Sequence, residues 1–93
     1  MEISDIVEAI NGRDKGSLFF ILSMEGDYLF LVNGKGRAIE RPKKKKKRHV
    51  RLIAKDSSEA AKKIRGGLKV QNSEVRRALA AFIAANDRNE GGL

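Results

Sequence analysis

The sequence predicts a mainly β fold with a C-terminal α-helical part: a small β-barrel of short strands followed by two helices. Up to about residue 55, apolar runs of strand length alternate with turn sequences. After that point the apolar residues recur at helical spacing, and the periodicity ends at Asn86. We therefore expect the barrel in residues 1–55, a helical extension in 56–85 and a flexible tail in 86–93. A chain of 93 residues has room for one small domain of this kind.

Five strands are predicted in the barrel. The first three cover residues 3–10, 18–24 and 28–32, and they are separated by turns at Asn11-Gly12 and Glu25-Gly26-Asp27. The turn at Asn33-Gly34 leads to a fourth strand at 37–40, and the chain returns as a fifth strand at 49–54. The lysine run then lies in the connection between two strands. Strands this short form the curled sheet of a small barrel.

Two helices are predicted in the last third of the chain. Asp56 and Ser57 can cap the first helix, which Gly66-Gly67 ends. Asn72 or Ser73 can cap the second and longer helix. The apolar residues of this helix recur at intervals of four, seven and eight, at Val75, Leu79, Phe82 and Ile83. Such a stripe is expected to pack on the barrel.

The charge is concentrated in one part of the chain. Twenty Lys and Arg residues against twelve Asp and Glu residues give a formal net charge of +8. Residues 1–36 carry −3, residues 37–55 carry +9 and residues 56–93 carry +2. Eight cations fall within the eleven residues 41–51, a density that favours a polyanionic partner. Nucleic acid is the first such partner, and the alternatives are a solvated loop, a nuclear localisation signal or an acidic lipid surface.

Several functional classes are excluded or disfavoured by composition. The chain has no cysteine and one histidine, so we expect no disulfide, no metal site and no cofactor. No nucleophile and base, carboxylate pair or phosphate-binding loop is recognisable, which favours a binding module over an enzyme. No apolar run could cross a bilayer, and no signal peptide is apparent. We expect a cytoplasmic protein, without a membrane partner and monomeric when free.

Two parts of the sequence resemble a known family. Residues 4–31 resemble a KOW motif: an apolar strand with Ile6 and Val7, a turn at Asn11-Gly12, a polar loop Arg13-Asp14-Lys15 ending at Gly16, and a second apolar strand. The segment VNGKGRAIERPKKKKKRHV at 32–50 extends the similarity to bacterial KOW-domain RNA-binding proteins related to a group of archaeal and eukaryotic large-subunit ribosomal proteins. The similarity covers roughly the first two thirds of the chain. Five uninterrupted lysines are a departure from the family pattern.

The resemblance implies an SH3-like barrel with a C-terminal helical extension, and RNA binding within or beside the ribosome. The implied partner is large-subunit ribosomal RNA, together with ribosomal or transcription proteins, since transcription elongation factors also carry KOW motifs. The alternative is a protein-docking KOW module of a transcription or RNA-processing complex, with non-specific nucleic-acid contacts.

The resemblance and the charge pattern together predict an RNA-binding set. Gly12 and Gly16 allow the loop backbone to approach a phosphate or base closely, while Asp14 either accepts from a base or closes its own loop. The predicted strands contain four aromatic residues, Phe19, Phe20, Tyr28 and Phe30. We expect them to pack in the core, with Tyr28 as the first candidate for an exception. The predicted RNA-binding residues are Arg13, Asp14, Lys15, Gly16, Lys35, Arg37, Arg41, Lys43, Lys44, Lys45, Lys46, Lys47, Arg48, His49 and Arg51.

Overall fold

The computed structural model describes residues 1–91 of the chain, with side chains through Asn86. It consists of five strands, a single 3-10 turn and two α-helices. In chain order these are β1 (Ile6–Ala9), β2 (Leu18–Glu25), β3 (Tyr28–Val32), β4 (Lys43–Lys46), the 3-10 turn (Lys47–His49), β5 (Val50–Ala54), α1 (Glu59–Arg65) and α2 (Asn72–Gly91). The prediction of a mainly β chain followed by two helices is therefore confirmed.

The strands form one antiparallel sheet in the order β4-β3-β2-β1-β5. The sheet is not closed, because its two edge strands, β4 and β5, do not pair with each other within the described residues. The pairing register shifts between Ile6 and Val7 where β1 meets β5, and between Ile21 and Ser23 where β2 meets β3. Irregularities of this kind bend strands and increase the twist of a sheet.

Apolar side chains are buried on both faces of the sheet. On one face Ile6, Phe20 and Val32 pack against the two helices. The cluster on the other face contains strand residues alone: Val7, Ala9, Phe19, Ile21, Leu29, Leu31 and Val50. No helix belongs to this second cluster, yet six of its members are fully buried. The sheet must therefore curl over these side chains to exclude water from them.

The fourth strand lies later in the chain than predicted. Residues 37–40 form bends and a turn, and the lysine run itself pairs with β3. The Asn33 side chain accepts hydrogen bonds from the backbone N–H groups of Lys35 and Arg37, both at 2.9 Å. These local bonds use backbone N–H groups that would otherwise be free to pair with a neighbouring strand. Lysines are well suited to an edge strand because their aliphatic stems cover the sheet while their ammonium groups reach water.

The helix caps differ from the predicted ones by a short distance along the chain. Ser58 caps α1, its hydroxyl oxygen accepting from the Ala61 N–H at 3.1 Å, whereas Asp56 and Ser57 were the expected caps. The helix α2 begins at Asn72, so Asn72 and Ser73 lie inside it and not at the predicted capping position before it. Glu74 accepts from the N–H of Gln71, the residue before the helix, at 3.0 Å. The Asn72 side chain instead accepts from the Ile39 N–H at 2.8 Å, which ties α2 to the turn before β4.

The second helix packs on the sheet along most of the predicted stripe. Val75 and Leu79 are buried and Phe82 packs at the border of the helical cluster, but Ile83 is 43% exposed and does not belong to it. The helix continues to Gly91, so residues 86–91 are helical where the sequence predicts a tail. The last two residues of that predicted tail lie outside the described residues. Neither helix, over its described residues, is long and apolar enough to cross a bilayer.

Two further contacts hold α2 in place. Lys63 of α1 binds Glu74 of α2 at 2.6 Å, and this hydrogen bond, with that from the Gln71 N–H, lowers the pKa of Glu74. Gly34, at the turn after β3, lies directly against the first turns of α2, and the Arg76 guanidinium donates to the Gly34 carbonyl oxygen at 2.7 Å. The turn after β3 and the start of α2 are therefore packed backbone to backbone.

Candidate nucleic-acid interface

The lysines of β4 point alternately to the two sides of the sheet. Lys44 lies opposite Phe30, and Lys46 lies opposite Tyr28. Lys43 and Lys45 lie opposite Leu31 and Leu29, so they are on the side of the second apolar cluster. Four of the five consecutive lysines at 43–47, those of β4, therefore occupy two different environments.

Lys45 has the most buried environment of the five. It is only 8% exposed, and its Nζ donates to the carbonyl oxygen of Asn11 at 2.8 Å. A Cβ built on Gly12 would lie 3.3 Å from that Nζ, so the loop backbone and the lysine are closely packed. We assign Lys45 to the attachment of the 11–16 loop to β4, because its ammonium group has little surface left for a phosphate.

Replacing Lys45 with Met should lower the free energy of unfolding by about 1–2 kcal/mol, because the Asn11 carbonyl loses its donor while the apolar stem remains. The salt dependence of the predicted RNA binding should stay unchanged. Lys44→Met is the matched control, and we expect it to have the opposite pattern, with normal stability and weaker binding. Urea unfolding and binding titrations at several salt concentrations measure both effects. If Lys45→Met preserves stability but weakens binding, Lys45 contacts RNA directly.

The 11–16 loop presents two cations and holds one acid in an ion pair. Arg13 and Lys15 are exposed. Gly12 and Gly16 have φ values of +79° and +90°, and the Gly16 N–H donates to the Ala9 carbonyl oxygen at 2.8 Å. This backbone bond closes the loop. The carboxylate of Asp14 does not close its own loop but binds the Arg37 guanidinium at 3.0 Å.

Other predicted residues have partners within the fold or lie apart from the lysine strand. Arg51 forms an ion pair with Glu8 across β1 and β5, at 2.7 Å. His49 is half-buried in the 3-10 turn, and its carbonyl oxygen accepts from the Ile10 N–H at 2.9 Å. Lys35 is exposed in the turn after β3. Arg37 and Arg51 are therefore already neutralised in part by carboxylates before any ligand binds.

A set of cations without acidic partners remains along the β4 edge and its two ends. Among the described residues, no carboxylate lies within 4.0 Å of these side chains. We call this set the cationic edge, and its members are Arg41, Lys43, Lys44, Lys46, Lys47 and Arg48.

The cationic edge contains a small groove at its C-terminal end. Lys46, Lys47 and Arg48 line the groove together with Asp27, and its volume is about 260 Å³. The Lys47 N–H donates to the carbonyl oxygen of Asp27 at 2.9 Å, which holds the end of β4 against the β2–β3 turn. Three cations and one acid surround the groove, so it has an excess of positive charge.

Two aromatic side chains lie beside the cationic edge. Lys44 Nζ is 4.4 Å from the ring centroid of Tyr28 and 6.0 Å from that of Phe30, and Lys46 Nζ is 5.9 Å from Tyr28. The prediction of core packing is confirmed for Phe19 and Phe20, which are fully buried. It is wrong for Phe30, which is only partly buried, like Tyr28, and belongs to neither core cluster. The alternation of these two rings with Leu29 and Leu31 along β3 is the signal that could have identified both.

The site therefore consists of a strand of alternating lysines, a cationic groove and two half-exposed rings. Searches of protein-family models and of curated proteins find no match to this chain.

Proposed function

We propose that this chain binds structured RNA through the cationic edge. Following the sequence resemblance, we propose that the RNA is large-subunit ribosomal RNA and that the chain acts as a cytoplasmic ribosomal or ribosome-associated protein. One observation carries the proposal: six cations lie on one strand edge and its ends, and no carboxylate of the described residues is within 4.0 Å of them. Such a set is suited to a partner with many regularly spaced negative charges.

The electrostatic argument follows from the separation of these charges. Lys44 and Lys46 are two residues apart on one strand, so their backbone positions are about 6.7 Å apart. Like charges this close repel each other, and binding of a polyanion relieves the repulsion while releasing counterions into solution. Because the strand already holds the backbone in place, little backbone ordering is needed on binding.

We also propose that the sheet is a partly open SH3-like barrel with a KOW loop at 11–16. The register shifts in two strand pairings and the helix-free apolar cluster both support a curled sheet. The bond from Lys45 to Asn11 brings the loop next to β4. Arg13 and Lys15 would then extend the cationic edge, so that loop and strand contact neighbouring phosphates.

A protein-docking module is the second candidate, and one observation favours it. β5 pairs with β1 on one side only, and Leu52 on this strand is 46% exposed. A strand from a protein of a transcription or RNA-processing complex could extend the sheet at this edge. The cationic edge would then make non-specific nucleic-acid contacts.

The binding proposal predicts a steep salt dependence. If the six members of the cationic edge each contact a phosphate, log affinity should fall with log salt at a slope of about −4 to −5. Fluorescence anisotropy of a labelled, structured RNA oligonucleotide between 50 and 200 mM salt would measure this slope. A slope near −1, or no binding at low salt, would contradict the proposal.

Sedimentation tests the ribosomal assignment separately. The tagged chain, expressed in its native cells, should migrate with the large subunit in a density gradient of the lysate at low salt. Retention at high salt would indicate a stable ribosomal component, and loss at high salt a loosely held associate. Absence from ribosomal fractions at both salt concentrations would reject the ribosomal assignment and favour the docking module.

A further inference from the structure

We propose that Tyr28 and Phe30 form a stacking platform for an unpaired RNA base. The phosphate of that nucleotide lies in the groove lined by Asp27, Lys46, Lys47 and Arg48, where three cations outnumber one acid. The inference rests on the proposed RNA binding and deepens it. It adds that the cationic edge binds RNA where a base is free to leave its helix, rather than along a continuous duplex.

The placement of the two rings is the first argument. Tyr28 and Phe30 alternate along β3 with Leu29 and Leu31, so their side chains are on the opposite side of the sheet from the strand-only cluster. Neither ring belongs to either core cluster. A phenylalanine that stays partly exposed and outside both core clusters is an unusual use of one of the few large apolar side chains in a small domain.

The lysines above the rings are the second argument. The Lys44 ammonium group lies 4.4 Å from the Tyr28 ring centroid and so covers its face. A base stacked on an aromatic ring is held more strongly than an exposed cation of this kind. An arriving base can therefore take the place of the Lys44 ammonium, which then becomes free to bind a phosphate of the same RNA.

The groove beside the platform is the third argument. Lys46 belongs to both parts of the site, since it lies 5.9 Å from the Tyr28 ring centroid and also lines the groove. At about 260 Å³ the groove is smaller than pockets that enclose a whole ligand, so it suits a phosphate group while the base stays on the ring.

The acid Glu25 limits where the bound strand can lie. Glu25 of β2 lies opposite Tyr28 in the pairing of β2 with β3, on the side away from β4. An RNA backbone is repelled there and attracted to the lysines of β4. The strand should therefore run along β4, with the free base turned inward over β3. Stacking accepts any base, so we expect a preference for unpaired nucleotides but little preference for sequence.

The chain carries its own reporter for this site. Tyr28 is its only tyrosine, and there is no tryptophan, so intrinsic tyrosine fluorescence comes from the platform alone. We would titrate the protein with a single-stranded RNA oligonucleotide, a blunt RNA duplex and inorganic polyphosphate. Single-stranded RNA should quench the Tyr28 emission at least twofold at saturation. Polyphosphate should bind with much less quenching, which controls for displacement of the lysines alone.

Variants then separate stacking from charge. Tyr28→Leu should weaken binding of single-stranded RNA about tenfold and leave polyphosphate binding unchanged, whereas Tyr28→Phe should bind like the original chain. Far-UV circular dichroism would verify that each variant is folded. If Tyr28→Leu does not fold, the quenching measurement on the unmodified chain decides the question.

The outcomes distinguish the two proposals. If neither RNA form binds, the proposed function fails. If RNA binds but quenches no more than polyphosphate does, or binds Tyr28→Leu as tightly as the original chain, the stacking platform fails while RNA binding stands. If poly-L-glutamate binds as tightly as RNA, the site recognises charge alone and an acidic protein becomes the favoured partner.

Discussion

Replacing Lys44, Lys46 and Lys47 together with Gln should weaken binding to structured RNA about a hundredfold at low salt, because each ammonium–phosphate contact in water is worth about 1 kcal/mol. The slope of log affinity against log salt should become shallower by about two to three, as three fewer counterions are displaced. The three side chains have no acidic partner among the described residues, so their removal should leave stability almost unchanged. Anisotropy titrations at several salt concentrations would measure both quantities.

The control for this variant removes the same amount of charge from another surface. Lys62, Lys69 and Arg77 are exposed on and between the helices, and replacing all three with Gln leaves the cationic edge intact. This control should retain affinity within about threefold, since charges distant from the bound RNA are screened by salt. Equal losses in the two variants would mean that net charge alone governs binding and that the cationic edge is not the site.

Gly34→Ala should destabilise the fold by about 3 kcal/mol or more, a large fraction of the stability of a small domain. Gly34 has a φ value of +74°, which a residue with a Cβ adopts only with strain. The added Cβ would also overlap the carbonyl oxygen of Asn72 and lie 2.9 Å from the backbone nitrogen of Arg76. Because both neighbours are backbone atoms of α2, the helix must move away from the sheet. Urea unfolding and thermal unfolding would measure the loss.

A second glycine in the same turn provides the control. A Cβ at Gly36 would meet no atom within 4 Å, and its φ lies outside the left-handed region. Gly36→Ala should therefore change the free energy of unfolding by no more than about 0.5 kcal/mol. Similar stabilities for the two variants would contradict the close packing of the turn against α2.

Most of the secondary structure could be predicted because its signals are local. The strands at 18–25 and 28–32 are apolar runs between glycine-containing turns, and the second helix is marked by apolar residues at the 3.6-residue period. The fourth strand could not be predicted in this way, because lysine has a low preference for strands. Lys43–Lys46 is a strand because it pairs with β3. The backbone N–H groups of Arg37 and Ile39, which precede it, donate to the side chains of Asn33 and Asn72 instead of to a neighbouring strand.

The sequence by itself determined that this protein carries a dense cationic segment on a small β-sheet body, because charge and apolar period are properties of the local sequence. Only the tertiary structure decided which of the cations are available to a ligand. Lys45 bonds to Asn11, Arg37 to Asp14 and Arg51 to Glu8, across 34, 23 and 43 residues of chain respectively. Partners so distant in sequence meet only when the sheet forms, and the described cations without such partners stay available to a ligand.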